Sequence, residues 1–336
     1  MNITSRIQRT IKVFTTAALS LVAVTVLTSS AQAEGRGHRP KPLHIHGYQA
    51  YTNLAFVEPA NPTVLQVRTG GEGGISHLGK MRSWSTDQRG NLMTGEIKAT
   101  YTFEDEGGDQ LRLSALGSSA FQPDGQVTFA GEFTVIGGTG KFRRAQGKLR
   151  FEGWSRVTDP ATGVGIGFGT IDGTIEGTKI DEDTPFVTTS RGNATFNGAD
   201  FLFTGTGVAT RTGRYDSTAY NTPGPFNGAF VGIVDGKFTL AWSTAEEWTS
   251  RNGDKIQWSG VEFVYLELLT LPDGSPAPDF SKPSTGEIYQ VVEGGSGRFA
   301  KVQGVMLNGA NFQAVSPTSI AAQIKGAGFL SRCDGW

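Results

Sequence analysis

One glycine-rich motif occurs twice in this chain, and it constrains the fold more than any other feature. The two copies read GGTGKFRRAQG (137–147) and GGSGRFAKVQG (294–304). A glycine-rich loop can bind phosphate, because its backbone N–H groups approach an anion closely. Such a loop lies between a strand and a helix, and no helical periodicity follows either copy. The motif therefore predicts a turn that the fold uses in two places.

Other features of the sequence return in the same order. Gly79 in HLGKMRSWS is matched by Gly213 in RTGRYDS, and Asp109 in GDQLRLS is matched by Asp254 in GDKIQWS. The second copy has extra residues before its glycine motif, in the proline-rich loop LPDGSPAPDFSKP (271–283). This period is far longer than the roughly 20–50 residues of stacking repeats. The pattern predicts a tandem duplication of one globular unit.

Strand-like alternation dominates both copies. The segments 96–105 and 109–116 place apolar side chains on one face and polar side chains on the other. Glycine supplies 47 of the 336 residues, about twice its usual share, as is typical of short strands joined by glycine turns. Each copy is therefore predicted to be an all-β unit of antiparallel strands that closes into a barrel, since closure removes exposed edges; a two-sheet sandwich is the alternative. The residues predicted to share a face are Ile97, Ala99, Tyr101 and Phe103 in one segment, and Leu111, Leu113 and Ala115 in the other.

The first 33 residues are predicted to be a secretory signal peptide. Three basic residues precede an apolar run (13–28), and Ala31-Gln32-Ala33 is a small-residue cleavage pattern. The run is too short to predict a stable membrane span. We therefore expect a periplasmic or secreted protein that is cleaved near Ala33.

The remaining boundaries follow from changes in composition. Residues 34–42 are rich in glycine, proline and charge and are predicted to be a disordered lead-in. The first barrel is predicted over 43–178, a polar linker over 179–186 and the second barrel over 187–336.

Charge and cysteine content narrow the classes of partner. The formal net charge is −1 at pH 7, which does not favour nucleic acid or an anionic membrane surface. The single Cys333 predicts no internal disulfide.

The first copy resembles a known family of β-barrels. EGGDQLRLSALGSS followed by GEFTVIGGTGKFRRAQGKLRFEG resembles the C-terminal half of plant dirigent proteins, which carry a glycine-rich turn, a Phe-Arg pair and an Ala-x-Gly step in this order. It is also similar to the related allene oxide cyclase barrel, and the second copy fits the same pattern. The resemblance covers roughly 40 residues in each half.

The resemblance implies two tandem antiparallel eight-stranded β-barrels of the allene oxide cyclase/dirigent type. Barrels of that family are often trimeric, so a homo-oligomer is compatible with it. Each barrel would hold a small hydrophobic or aromatic ligand in its lumen without a metal or organic cofactor. Dirigent proteins orient phenoxy radicals for coupling, and allene oxide cyclases fold a reactive epoxide into a ring. In such a barrel, Gly137, Gly138 and Gly140 would supply positive-φ turn positions and Phe142 would plug the end.

Two glutamates are candidate catalytic residues. Glu262 lies in the otherwise apolar segment GVEFVYLELLT (260–270), and strict alternation places it on the opposite face from Glu267. A carboxyl in an apolar pocket has a raised pKa and can act as a general acid or base, whereas a Glu at an edge or interface would be structural. Glu132 falls opposite Tyr289 when the copies are aligned on the glycine motif, so two inward-facing side chains would give the barrels different pockets.

Five aromatic residues are candidate ligand-binding residues, although aromatics on strands are more often part of a core. They are Tyr101, Trp154, Trp258, Tyr265 and Tyr289.

Histidines give weaker signals. On a strand, His44-x-His46 would place both rings on one face, but the sequence supplies no third ligand beside them, and His38 lies in the lead-in. We therefore predict no metal site. His77 is expected to be a strand residue rather than a base.

Three functions remain open. The first is a cofactor-independent isomerase or cyclase that orients a guest and uses one or two acids. The second is an extracytoplasmic binding module for a small hydrophobic or phenolic molecule, or for a carbohydrate. The third is a glycan-cleaving enzyme with paired carboxylates among Glu246, Glu247 and Glu262. A closed lumen with an inward acid would favour the first, and exposed aromatics along a groove would favour glycan binding.

Overall fold

The structure is a computed structural model that describes residues 42–178, 180, 183–197, 200–316 and 318–331. The predicted signal peptide, all but the last residue of the predicted lead-in, and Cys333 lie outside the described residues. No helix in the described part of the chain has the length and apolar character needed to cross a lipid bilayer.

The first copy is a closed barrel of eight antiparallel strands. Each strand pairs with the next in the sequence, and the last pairs with the first, with Gly47 opposite Ile171. The strands are β1 (Leu43–Glu58), β2 (Asn61–Ile75), β3 (Gly79–Asn91), β4 (Glu96–Asp105), β5 (Gln110–Phe121), β6 (Gln126–Gly138), β7 (Gln146–Asp159) and β8 (Val164–Glu176).

The second copy forms another eight-stranded barrel with two added strands. The strands of this copy are β9 (Thr184–Asn197), β10 (Asp200–Ala209), β11 (Gly213–Asn221), β12 (Asn227–Val234), β13 (Lys237–Ser250), β14 (Lys255–Thr270), β15 (Pro276–Asp279), β16 (Ser284–Gly295), β17 (Gly304–Ser316) and β18 (Ser319–Leu330). The barrel runs β9-β10-β11-β13-β14-β16-β17-β18 and closes on β9. The strand β12 extends along β13, and β15, which lies in the proline-rich loop, extends along β14. These findings confirm the predicted all-β fold of two tandem eight-stranded barrels and exclude the sandwich.

The interior of the first barrel shows why the chain is rich in glycine. The predicted inward side chains of Ala99, Phe103 and Leu113 are buried in its core. Many glycines lie within strands, beneath aromatic rings that cross the lumen. A Cβ on Gly131 would lie 2.7 Å from the ring of Phe151 and 2.4 Å from a backbone oxygen of β5. Glycine therefore has two roles in this barrel: it forms turns, and within strands it leaves room for aromatic side chains.

The glycine motif closes each barrel at one end. In the first copy it forms a 3-10 helix over Gly140–Phe142, and Phe142 is fully buried in the core, which agrees with its predicted role as a plug. Gly137 and Gly140 have positive φ as predicted. The prediction for Gly138 is wrong: its φ is not positive, and it is small because a Cβ would lie 2.3 Å from the backbone oxygen of Gln110.

An aspartate fixes this turn in both copies. In the first, the Asp109 carboxylate accepts a hydrogen bond of 3.0 Å from the Lys141 N–H and lies where a Cβ of Gly140 would be. In the second, Asp254 lies in the same way against Gly297. The motif is therefore a structural element of each barrel.

The two barrels pack through their outer walls and form one compact unit. Phe168 of β8 contacts Phe263 of β14, with ring centroids 4.7 Å apart. Polar contacts surround this apolar cluster: Lys80 Nζ lies 2.7 Å from Glu293 Oε1, and Arg156 Nε donates to the carbonyl of Val231 on β12 at 2.8 Å. The cluster, called the interbarrel cluster below, is formed by Tyr48, Ile166, Phe168, Phe226, Val231, Ala241, Val261 and Phe263, with Trp154, Tyr265 and Tyr289 packed against it.

Candidate functional site

The lumen of the second barrel contains a polar layer between two apolar clusters. Near the glycine motif the core includes Trp248, Trp258 and Phe299. The other cluster contains Phe203 and Phe312, among others. The polar layer comprises Ser217, Thr244, Glu246, Gln290 and Asn308, which are all buried, and the half-buried Glu262.

Glu246 is held by three hydrogen-bond donors. Ser217 Oγ lies 2.5 Å from its carboxylate, and Trp248 Nε1 and the side-chain amide of Gln290 each donate at 2.7 Å. Asn308 Nδ2 in turn donates to Gln290 Oε1 at 2.8 Å. Donors from β11, β13 and β16 thus fix this carboxylate, and Asn308 of β17 holds the Gln290 amide in place.

Glu262 has a different environment. It lies opposite Trp242 in the β13–β14 register and faces the lumen. Burial, and next the charge of Glu246, raise the pKa of Glu262 to about 7. No group among the described residues is hydrogen-bonded to it. The carboxyl is therefore poised between its two protonation states near neutral pH.

Three inward residues on the same two strands as these carboxyl groups carry unpartnered polar atoms. Trp242 Nε1, Thr244 Oγ1 and Trp258 Nε1 are buried and make no hydrogen bond to any described residue. Along β13 and β14 these residues form successive inward pairs with Glu262, Gly260 and Glu246, and Gly260 contributes no side chain. Because buried polar groups in native proteins are almost always hydrogen-bonded, these atoms indicate a place for a guest or for water.

The first barrel has other side chains at most positions of this polar layer, although its strands have the same register. Aligned on the glycine motif, Gln290 and Asn308 correspond to Phe133 and Phe151, whose rings lie 4.4 Å apart across the first lumen. Aligned on Asp109 and Asp254, Glu262 corresponds to Gly117, where a Cβ would lie 2.9 Å from the Phe151 ring. Where the first barrel has the Phe151 ring above Gly117, the second barrel has the shorter Asn308 and the longer Glu262.

The structure separates the candidate catalytic residues. Glu262 faces the lumen, whereas Glu267 lies on the outer wall paired with Lys237, as strict alternation predicts. The inward orientation considered for Glu132 is wrong: its side chain lies on the outer wall, 2.6 Å from Lys148 Nζ. The neighbouring Phe133 takes the inward position instead.

The five candidate aromatics lie in three places. Trp258 lines the second lumen. Tyr101 lies in the first lumen, where its hydroxyl donates to Gln88 at 3.1 Å and burial raises its pKa to about 12. Trp154, Tyr265 and Tyr289 instead belong to the interbarrel cluster, so the inward orientation considered for Tyr289 is also wrong.

These outward aromatics were misassigned because alternation identifies a face but not what covers it. Each barrel covers part of the outer wall of the other, and the residues between them form an apolar cluster. Tyr265 and Tyr289 also donate hydrogen bonds to Glu287, at 3.1 and 3.0 Å.

Of the carboxylates considered for glycan cleavage, only two share a lumen. Glu246 and Glu262 face inward, whereas Glu247 lies outside, 2.8 Å from Lys255 Nζ. Sequence reasoning missed the remaining members of the polar layer. Alternation along β13, which places Trp242, Thr244, Glu246 and Trp248 on one face, could have identified part of it.

The histidines acquire partners that the sequence did not reveal. His44 and His46 lie on the outer wall of β1, and Asp172 of β8 lies opposite His46, with His46 Nδ1 2.5 Å from its carboxylate. His44, His46 and Asp172 each place one ligand atom within 4.8 Å of the other two. Two imidazoles and a carboxylate are ligands that zinc accepts. His77, expected on a strand, lies in the turn after β2 with a φ of 65°.

Comparisons with known proteins add little to this description. No model of a known protein family matches the chain, and no curated protein matches it at a significant level. The chain is similar to the transport unit of the autotransporter AIDA-I from Escherichia coli, with 11% identity over 94% of this chain and 97% of that chain and a TM-score of 0.15. It is also similar to OccK10 (OpdN) of Pseudomonas aeruginosa, with 10% identity over 85% and 98% of the two chains and a TM-score of 0.14. Scores this low carry no argument, so function must be inferred from the residues themselves.

Proposed function

We propose that the lumen of the second barrel binds a small hydrophobic or phenolic molecule and that Glu262 exchanges a proton with it. The observation that carries this proposal is the position of Glu262: it faces the lumen, its pKa is raised to about 7, and it lies opposite Trp242, whose Nε1 is buried and unpartnered. A carboxyl with a pKa near the ambient pH is suited to general acid–base catalysis.

The chemistry would be an isomerisation or cyclisation without an organic cofactor. Glu262 as carboxylate would take a proton from one atom of the guest and, as carboxylic acid, return a proton to another, so that the reaction is balanced. Glu246 would remain a fixed hydrogen-bond acceptor, because three donors already hold its carboxylate. The apolar cluster around Phe203 and Phe312 would orient the guest's apolar part.

The resemblance to dirigent and allene oxide cyclase barrels supports the same class of function. The predicted signal peptide further suggests that the protein acts in the periplasm or outside the cell. Carbohydrate binding receives less support, because none of the five candidate aromatics is fully exposed.

Binding can be tested with the uncharged fluorophore N-phenyl-1-naphthylamine, titrated into the purified protein between pH 5 and 9. Affinity for this apolar probe should fall as Glu262 ionises through about pH 7, because an ionised carboxyl disfavours an apolar guest. Glu262→Gln should bind the probe with no such pH dependence, and the matched outer-wall variant Glu267→Gln should behave like the wild type. Absence of binding, or equal pH dependence in Glu262→Gln, would refute the lumen site.

Proton transfer needs its own measurement. Native mass spectrometry of protein from its own host identifies any guest that co-purifies, and that guest is then incubated with the protein in D2O. Deuterium should enter the guest with the wild type and with Glu267→Gln, but not with Glu262→Gln. If the guest binds but takes up no deuterium, the proton-transfer part of the proposal is wrong and the protein is a binding module without turnover.

A further inference from the structure

Three arginines converge on one cavity of the second barrel. Arg214 lies at the start of β11, Arg251 in the turn after β13, and Arg298 in the 3-10 helix of the glycine motif. Together with Thr212 and Asn252 they line a cavity of 580 Å³. None of these residues belongs to the polar layer, so the cavity is separate from the lumen site.

The positive charge in this cavity is only partly compensated. Arg298 Nη2 donates to the carbonyl of Thr212 at 2.8 Å, and its Nε lies 3.3 Å from Asp254 Oδ2. Arg214 and Arg251 form no ion pair with any described carboxylate. Two exposed guanidinium groups therefore face the cavity with all their donors available.

Thr212, which lines the same cavity, carries a buried hydroxyl. Thr212 is only 4% exposed, and its Oγ1 makes no hydrogen bond to any described residue. Its carbonyl is already fixed by Arg298, which holds the residue in place. An unpartnered buried hydroxyl is unfavourable, so this position is suited to a ligand that accepts or donates a hydrogen bond there.

The first barrel has no equivalent of this arrangement. Aligned on Gly79 and Gly213, Thr212 corresponds to the buried Leu78 and Arg214 to Lys80, which is paired with Glu293 at 2.7 Å. Aligned on Asp109 and Asp254, Arg251 corresponds to Glu106. The fold therefore does not require the arginines, since the first copy closes the same turn without them.

We infer that this cavity binds a small molecule bearing a phosphate or sulfate group. The planar guanidinium fork matches the oxygens of such a group, and the threonine hydroxyl supplies a further hydrogen bond. The volume is within the range of small-molecule sites and exceeds what a bare anion fills. A neighbouring groove of 780 Å³ shares Arg214 and Arg251 and adds Arg191, Lys325 and one carboxylate, Asp216, so its lining carries a net positive charge.

The test is isothermal titration calorimetry of the full mature chain with inorganic phosphate, sulfate, glucose 6-phosphate and glucose. We expect saturable binding of glucose 6-phosphate that weakens with added NaCl, weaker binding of the inorganic anions, and none of glucose. If phosphate or sulfate binds as tightly as glucose 6-phosphate, the cavity is a site for the inorganic anion and the inference of a larger ligand is wrong. Absence of saturable binding for all three anions would overturn the inference.

Variants identify the site. Arg214→Gln combined with Arg251→Gln should weaken binding at least tenfold, and Arg251→Glu, which introduces the charge found in the first copy, should abolish it. Thr212→Val, which keeps the side-chain shape, should weaken binding several-fold. Arg112→Gln, at an exposed arginine on β5, should leave it unchanged. Unaltered affinity in the double variant would refute the site, and circular dichroism of each variant checks that it is folded.

Discussion

Replacing Glu262 with Gln should make the protein more stable at alkaline pH, which is an unusual outcome for a lumen residue of a candidate site. Burial and the charge of Glu246 raise the pKa of this carboxyl from 4.5 to about 7. Each pKa unit corresponds to about 1.4 kcal/mol, so the folded state is disfavoured by about 3 kcal/mol once Glu262 is ionised.

The sign of the effect follows from linkage. Below about pH 4.5 the carboxyl is protonated in both the folded and the unfolded chain, so it has no effect on the free energy of unfolding. As the pH rises toward 7, the unfolded chain ionises first and stability is lost progressively. Above about pH 7 the loss is complete, and it remains constant at higher pH.

Urea unfolding of the wild type and of Glu262→Gln at pH 4, 6 and 8 measures this effect. The two proteins should be equally stable at pH 4, and the variant should be more stable by about 3 kcal/mol at pH 8. Glu267→Gln is the matched control on the same strand. It removes only a surface ion pair with Lys237 and should be destabilised by no more than about 1 kcal/mol. A difference between wild type and Glu262→Gln that is the same at all three pH values would refute the raised pKa.

Three further predictions concern packing, and each can be checked by urea unfolding. Gly131→Ala should destabilise the protein by more than about 2 kcal/mol, because the added Cβ meets backbone at 2.4 Å, whereas Gly90→Ala, with its nearest neighbour at 4.0 Å, should change stability by less than about 0.5 kcal/mol; equal effects would contradict the packing argument. Phe299→Ala should cost about 3–5 kcal/mol, since the side chain is 1% exposed and plugs the second barrel; a loss below about 1 kcal/mol would show that the end is not closed by this ring. Phe263→Ala should cost a similar amount, because its ring packs against the first barrel; a small loss would mean that the interbarrel cluster contributes little to stability.

Much of the fold could be predicted from the sequence. Period-2 alternation identifies each strand from its own residues, and the repeated glycine motif shows that the unit occurs twice. Phe103, Leu111 and Leu113 are inward as predicted, and Phe142 is buried as predicted. The docking of the barrels could not be predicted in this way. It depends on apolar residues of the outer walls, such as Phe168 and Phe263, whose pattern matches that of an inward face.

The candidate site was only partly predictable for a related reason. The position of Glu262 followed from alternation within one strand. Its partners depend on which strands become neighbours: Gln290 reaches Glu246 from β16, and Asn308 reaches Gln290 from β17. These contacts are far apart in sequence, and no local pattern specifies that three inward side chains will meet at one level of a closed barrel.

The two copies fill their lumens with different side chains, and among the described residues only the second places a glutamate with a raised pKa there. In the first lumen rings lie over glycines, as with Phe151 over Gly117, and the hydroxyls of Thr69 and Tyr101 both hydrogen-bond to Gln88. In the second barrel the equivalent positions are Asn308 and Glu262, which bring a carboxyl and unpartnered polar groups into the interior. Buried polar groups of this kind lower stability unless a partner satisfies them. A guest that hydrogen-bonds to Glu262 and to unpartnered groups such as Trp242 Nε1 would offset this cost in the second barrel.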